Sequence, residues 1–192
     1  MIDVHSHIIP NVDDGARSVE ETFNILKEAK AVGFTDVILT SHFLLNYYET
    51  DAQELIFWKD KLQEVLDQRG PNIKLHSGME IYISNQMEEL MQKNKLLTLA
   101  NSRYMLIELP IASNVQYLDY VIYYLEAKGI KTIIAHPERY KCVQKDPSIV
   151  EEYIEKGCLM QCNYGSIVNL YGNEAEKTIK TLLKKNQVHF LG

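Results

Sequence analysis

Along this chain, short runs of alternating or clustered apolar residues are separated by longer stretches whose apolar residues recur three and four positions apart. The opening, Met1-Ile2-Asp3-Val4-His5-Ser6-His7, alternates with the period of two that marks a short strand. That register throws His5 and His7 to the same side at the strand's end, about 7 Å apart, where two imidazoles can share one divalent ion. Further strands are predicted over Asp36 to Ser41, Ile73 to Met79, Tyr104 to Leu109, Lys131 to Ala135, Leu159 to Cys162 and Val188 to Leu191. Between them lie amphipathic helices carrying Val19, Phe23, Leu26 and Ala29, then Leu55, Trp58, Leu62, Val65 and Leu66, then Met87, Leu90 and Met91. Later helices carry Val115, Leu118, Val121, Ile122 and Leu125, then Val150, Tyr153 and Ile154, and finally Ile179, Leu182 and Leu183. Start and stop signals agree: capping boxes at Ser18/Glu21 and Thr50/Gln53, a cap at Ser84, an Asp146-Pro147 pair, and an opening at Asn173/Glu176. Gly33, Gly70-Pro71, Gly129 and Gly157 end helices.

Strands alternating with helices at this spacing are β/α crossovers, so the sheet is expected to be largely parallel. An open sheet collects ligands mainly where its strand order reverses. Here polar candidates close strands one to five, and a ring of strands makes all those ends converge. The expected fold is therefore α/β, a distorted seven-unit barrel of the TIM type, with no helix after strand seven.

Composition narrows the class. The 192 residues suffice for one well-filled domain, and 46% hydrophobic with 24% charged residues is ordinary for a globular chain. A formal net charge of −6 without a basic run excludes electrostatic nucleic-acid binding. No basic segment precedes an apolar run and no stretch approaches a 20-residue membrane span, so a cytoplasmic protein is expected. Cys142, Cys158 and Cys162 are odd in number and lack CxxC spacing, which fits free buried thiols in a reducing compartment.

The candidate chemistry sits at the strand ends. Asp14 before Gly15 can be a turn residue, His42 can bond locally, and Glu80 can pair with a lysine. Glu108 is harder to dismiss, since it stands inside Met105-Leu106-Ile107-Glu108-Leu109-Pro110, and a carboxylate buried there needs a cation or several donors. His136 closes another apolar strand. Together His5, His7, Asp14, His42, Glu80, Glu108 and His136 form a nitrogen and oxygen set too large for one four-coordinate zinc. The set suits two or three ions of the Zn, Mn or Fe class with bridging carboxylates. His76, in mid-strand, and His189, in the last strand, read as structural.

Arg139 follows His136 by three residues and suits bidentate capture of a phosphate oxyanion. Cysteine-based phosphatase chemistry would need an arginine six residues after the nucleophile, and Ser148, Tyr164 and Val168 occupy those places. A metal-activated water is the better nucleophile.

The segments MIDVHSHIIPNVDDGARS, TSH at 40–42, GMEI at 78–81, LIELP at 106–110 and IIAHPERY at 133–140 resemble the PHP (polymerase and histidinol phosphatase) superfamily. Within it they are similar to the bacterial manganese-dependent protein-tyrosine phosphatases of capsule and exopolysaccharide loci. The resemblance implies a distorted barrel of seven β/α units and a trinuclear site. His5, His7 and Glu80 would hold one ion, Glu80 would bridge to a second held by Glu108 and His136, and Asp14 and His42 would serve a third. Arg139 would match the substrate-phosphate arginine, and Mn²⁺ would be the cofactor, with Fe, Zn or Mg as alternatives. The implied substrate is the phosphorylated tyrosine-rich tail of a bacterial tyrosine kinase, whose dephosphorylation regulates polysaccharide polymerisation and export.

Relatives continue beyond the equivalent of His189 to Gly192 with a Ser-Asp-x-His motif and a second arginine. Residues 1–192 would thus be one phosphatase domain shortened at its C-terminus, with a frayed end or an intermolecular contact near Gly192; homo-oligomerisation stays open. Competing readings are a small-molecule phosphatase of the histidinol-phosphate type, an amidohydrolase, and a shortened binding or regulatory subunit.

Overall fold

The structure is a computed structural model that describes residues 1–113 and 115–192. It falls into two compact units, Met1–Ile81 with Glu89–Ser102, and Tyr82–Glu88 with Arg103–Gly192. Every strand pairing described below is parallel, so the chain is a mixed α/β protein built on parallel sheets, as the crossover pattern requires.

The first unit begins with β1 (Ile2–Ser6), α1 (Val19–Ala31), β2 (Asp36–Leu39) and β3 (His42–Phe43). α2 (Ala52–Arg69), β4 (Lys74–Ser77) and the start of β5 (Glu80–Tyr82) follow, and the unit takes the chain up again from Glu89, within α3 (Met87–Gln92). β1, β2 and β4 form one sheet in that order, with Asp36 opposite both Ile2 and Lys74 and an irregularity between Asp3 and Ser6. β3 pairs with β5, placing His42 opposite Glu80.

Two of the predicted strands end early, and each is followed by a second short strand that the apolar pattern did not predict. β2 stops before Thr40 and β3 starts at His42; β4 stops at Ser77 and β5 starts at Glu80. Gly78 explains the second break, because a Cβ there would lie 2.8 Å from Ile38 Cγ2 and 3.0 Å from Leu99 Cδ2. The backbone passes close under the Ile38 and Leu99 side chains, so any larger residue would have to push their methyl groups aside. The consequence is functional: Glu80 opens a strand instead of closing one, and it does so beside His42.

The helices of this unit bury one face each, Thr22 and Leu26 on α1 and Leu55, Leu62 and Leu66 on α2. The Ser18 hydroxyl accepts from Glu21 N–H, but Glu21 reaches back to Arg17 N–H, one residue beyond the capping-box position. At α2 the cap is Asp51, which accepts from Gln53 N–H, and not Thr50. Asp51 wins because an ionised carboxylate is a stronger acceptor for that donor than a hydroxyl.

The second unit contains β6 (Tyr104–Glu108), α4 (Leu118–Ala127), β7 (Lys131–Ala135), α5 (Lys141–Lys145) and α6 (Ile149–Glu155). It continues through β8 (Leu159–Cys162), α7 (Tyr164–Ile167), α8 (Asn173–Lys184) and β9 (Phe190–Leu191). Its strands run in the order β6, β7, β8, β9. Met105, Leu106, Ile107, Ile134, Ala135 and Met160 are fully buried, as the apolar runs of these strands predict for a sheet covered on both faces.

Asp146 does not open a helix directly; its carboxylate accepts from Ser148, and α6 starts at Ile149. The chain's last residues are hydrogen-bonded, with Gly192 N–H donating to Cys162 O and Tyr164 N–H donating to Gly192 O. His189 has the structural role expected of it, accepting from Met160 N–H while its own N–H donates to Met160 O. His76 likewise pairs with Asp36 at 2.8 Å. Among the described residues no helix is long and apolar enough to cross a membrane.

Candidate metal centre

The end of β1 delivers His5 and His7 as its alternation predicts, and β5 delivers Glu80 to meet them. His5 Nε2 and His7 Nε2 each lie 3.0 Å from Glu80 Oε2, and 3.0 Å from one another. His42 Nδ1 approaches the same carboxylate oxygen at 3.2 Å. Glu80 is buried, with 1% of its side chain exposed. Several basic nitrogens around one buried carboxylate oxygen form a site that only a proton or a metal ion can fill.

The loop after β1 is folded back on the strand that it leaves. Ala16 N–H donates to His7 O at 3.0 Å, Asn11 N–H donates to Ala16 O at 2.9 Å, and the Thr22 hydroxyl donates to Ile8 O at 2.7 Å. Gly15 permits this closure, because a Cβ there would stand 2.1 Å from His7 O. The fold-back sets Asp13 against the histidines: its Oδ2 meets His7 Nδ1 at 2.9 Å and accepts from His42 N–H at 3.0 Å, while its Oδ1 accepts from Gly15 N–H at 3.0 Å. Asp14, the acid singled out in the sequence, is more remote. Its side chain is 68% exposed and lies 3.6 Å from His42 Nε2.

The electrostatics follow from this packing. Burial pulls the His7 imidazolium down, but hydrogen bonds and charge from Asp13 and Glu80 outweigh it and raise His7 to about 10. Burial pushes the Asp13 carboxyl up, yet its bonds to His7, Gly15 and His42 leave it below the usual carboxylate value. His42 is lowered, chiefly by burial and also by the charge on His7, against the pull of Glu80. Without metal, then, His7 carries the proton that balances the carboxylates.

The donor set also fits a divalent ion. With bonds of about 2.1 Å, neighbouring ligands of an octahedral ion stand about 3.0 Å apart, against about 3.4 Å for a tetrahedral one. His5, His7 and Glu80 show the octahedral spacing on all three edges. Asp13 bonded to His7 Nδ1 is the partner that a metal-binding histidine needs, since it fixes the tautomer and aims the Nε2 lone pair outward. His7, Asp14 and His42 form a second, looser group able to hold an ion.

In the second unit β6 ends on Glu108 and β7 is followed by His136, whose Nε2 lies 3.8 Å from Glu108 Oε1. Tyr140 braces both strand ends: its hydroxyl donates to Ala135 O at 2.5 Å and accepts from Leu109 N–H at 2.9 Å. His136 has left-handed backbone torsions (φ 31°, ψ 56°), and Pro137 to Arg139 then make one helical turn. Glu138 points into the interior, and Arg139 stands over the Tyr171 ring. The cysteines have no nucleophilic setting. Burial raises Cys158 to about 12 and, together with Glu138, raises Cys162 far above the usual thiol value.

Three positions that hydrogen-bond around these groups escaped the sequence reading. Asp13 was hidden beside Asp14, Glu138 inside the HPER run, and Tyr140 in the turn after it. A carboxylate six residues beyond a candidate ligand histidine was the available signal for Asp13, because metal-binding histidines take a carboxylate partner.

An α/β protein on parallel sheets, carrying a buried histidine–carboxylate cluster suited to divalent ions, is the class that these observations define. The family described as "Capsular polysaccharide synthesis, CpsB/CapC" matches residues 1–192, and the chain belongs to that family. It is 31% identical over 191 residues to the putative tyrosine-protein phosphatase CapC of Staphylococcus aureus, covering 100% of this chain and 75% of that protein. It is 30% identical to the tyrosine-protein phosphatase YwqE of Bacillus subtilis, with the same coverage. It also superposes, at a TM-score of 0.94 and 30% identity, on a chain among the crystal structures of YwqE from Bacillus subtilis and CpsB from Streptococcus pneumoniae, described as unique metal-dependent tyrosine phosphatases. That match covers 100% of this chain and 78% of the other.

Proposed function

We propose that residues 1–192 act as a metal-dependent protein-tyrosine phosphatase, a cytoplasmic enzyme whose substrate is the phosphotyrosine tail of a bacterial kinase in capsule or exopolysaccharide regulation. The observation that carries this reading is the triad of His5, His7 and Glu80, in which every donor lies 3.0 Å from the other two. Family membership and the named phosphatase relatives support it. His5, His7, Asp14, His42, Glu80, Glu108 and His136 are the proposed ligands of two or three ions, with Mn²⁺ as the proposed metal. The distorted barrel expected from the strand spacing is the architecture that this ligand assignment assumes.

Such ions would supply a water-derived nucleophile at neutral pH and offset the charge of the phosphoryl group. The protein's own residues do the rest. Asp13 holds His7 in the tautomer that presents Nε2, and the buried Glu80 offers its carboxylate to that same point. Arg139 grips the phosphate oxygens through its planar N–H fork. The leaving phenolate, with a pKa of about 10, departs more readily than an alkoxide. The buried thiols take no part.

The test is direct. Purified protein supplied with Mn²⁺ should hydrolyse p-nitrophenyl phosphate and a phosphotyrosyl peptide, and EDTA should abolish both activities. Turnover that persists after complete metal removal would sink the proposal.

A further inference from the structure

Arg139 is held in an unusual way for an arginine meant to grip an anion. Its guanidinium carbon stands 4.5 Å from the centroid of the Tyr171 ring. Among the described residues, no ion pair and no side-chain hydrogen bond engages that guanidinium. A cation over a ring face is restrained by the ring's quadrupole without spending any of its five N–H donors. A carboxylate partner would hold the arginine more firmly but would occupy the edge that a phosphate needs.

Tyr171 is half exposed, its backbone set in a tight turn and one ring edge against Gly165. Tyr171 lies in the tight turn after α7, between Asn169 at φ 65° and Gly172 at φ 90°, and Leu170 N–H donates to Gly165 O at 2.9 Å. Gly165 lies so close beneath it that a Cβ there would come within 3.0 Å of Tyr171 Cε2. The start of this segment is tied to the residue beside Arg139. Fully buried Glu138 accepts from Asn163 N–H at 3.0 Å and from the Ser166 hydroxyl at 2.7 Å through a single oxygen. Glu138 thus joins the turn that carries Arg139 to the segment that ends in Tyr171.

We propose that Tyr171 is a positioning residue for phosphate capture, its ring holding the Arg139 guanidinium in place with its N–H donors left for the phosphate oxygens. This rests on the reading of Arg139 as the phosphate arginine.

The experiment measures the Kd of inorganic phosphate by calorimetry on metal-loaded protein, with bound metal per chain and with kcat and KM on a phosphotyrosyl peptide. Tyr171→Ala should weaken phosphate about fivefold and raise KM similarly, with metal content unchanged, whereas Tyr171→Phe keeps the ring face and should stay within about twofold of wild type. Adding Tyr171→Ala to Arg139→Ala should cost nothing further, because the ring acts through the arginine. Wild-type phosphate affinity in Tyr171→Ala, beside a weakened Arg139→Ala, would overturn this inference alone. An equal loss from Tyr171→Ala with and without Arg139 would also overturn it. Wild-type affinity in Arg139→Ala would instead overturn the phosphate role of the arginine, and this inference with it.

Discussion

Replacing Asp13 by asparagine should weaken the metal site without removing a ligand. The aspartate accepts three hydrogen bonds, from His7 Nδ1 at 2.9 Å, from His42 N–H at 3.0 Å and from Gly15 N–H at 3.0 Å. Asparagine keeps one acceptor oxygen of the two and brings an N–H₂ group that must face a donor. At least one bond is therefore lost, and so is the negative charge that makes His7 Nε2 a stronger ligand. Partners of this kind contribute about 10- to 100-fold in metal affinity, or about 1.4 to 2.7 kcal/mol at 1.36 kcal/mol per factor of ten. The assay is competition for Mn²⁺ against a fluorescent chelator, with circular dichroism to verify the fold. Activity should return when excess metal saturates the variant, since no ligand atom has been deleted. A folded Asp13→Asn protein that binds Mn²⁺ within twofold of wild type would refute the argument that Asp13 orients His7.

Three further outcomes follow from the same geometry. In chelator-treated protein, His7 is raised from 6.5 to about 10, so its contribution to stability is complete below pH 6.5 and is lost as pH rises through about 10; urea midpoints across that range should fall, and a flat profile would contradict the His7 assignment. The buried thiols of Cys158, raised to about 12, and of Cys162, raised well above the usual thiol value, should resist iodoacetamide at pH 8 in the native state, and phosphatase activity should survive the treatment; inactivation in step with alkylation of either would revive a cysteine nucleophile. Tyr140→Phe deletes the hydroxyl that joins Leu109 N–H to Ala135 O and should lower stability by about 1–3 kcal/mol in denaturant unfolding, because a buried donor is left unmade; an unchanged midpoint would show that the two strand ends hold without it.

How far the sequence reveals this molecule depends on the kind of feature. The buried cores of β6, β7 and β8 are legible because an apolar run between turn signals has few other uses. His5 and His7 are legible because a period of two places them on one side. The breaks at Thr40 and Ser41 and at Gly78 and Met79 are not, since an apolar run looks the same whether or not the strand changes partner within it. The reason for the second break, Gly78 pressed against Ile38 and Leu99, lies in contacts distant in sequence. The five-residue α5 and four-residue α7 are too short to show a helical period. Asp13 reads as half of an Asp-Asp turn, and only the fold-back over Gly15 separates its role from that of the exposed Asp14.

The central claim is that His5, His7 and Glu80 bind a divalent ion together. Anomalous diffraction at the manganese edge, from crystals grown with Mn²⁺, tests it most directly. The account predicts a peak at about 2.1 Å from His5 Nε2, His7 Nε2 and Glu80 Oε2, and its loss in Glu80→Gln crystals. Manganese bound elsewhere, with those three side chains bare in crystals of the active enzyme, would contradict it.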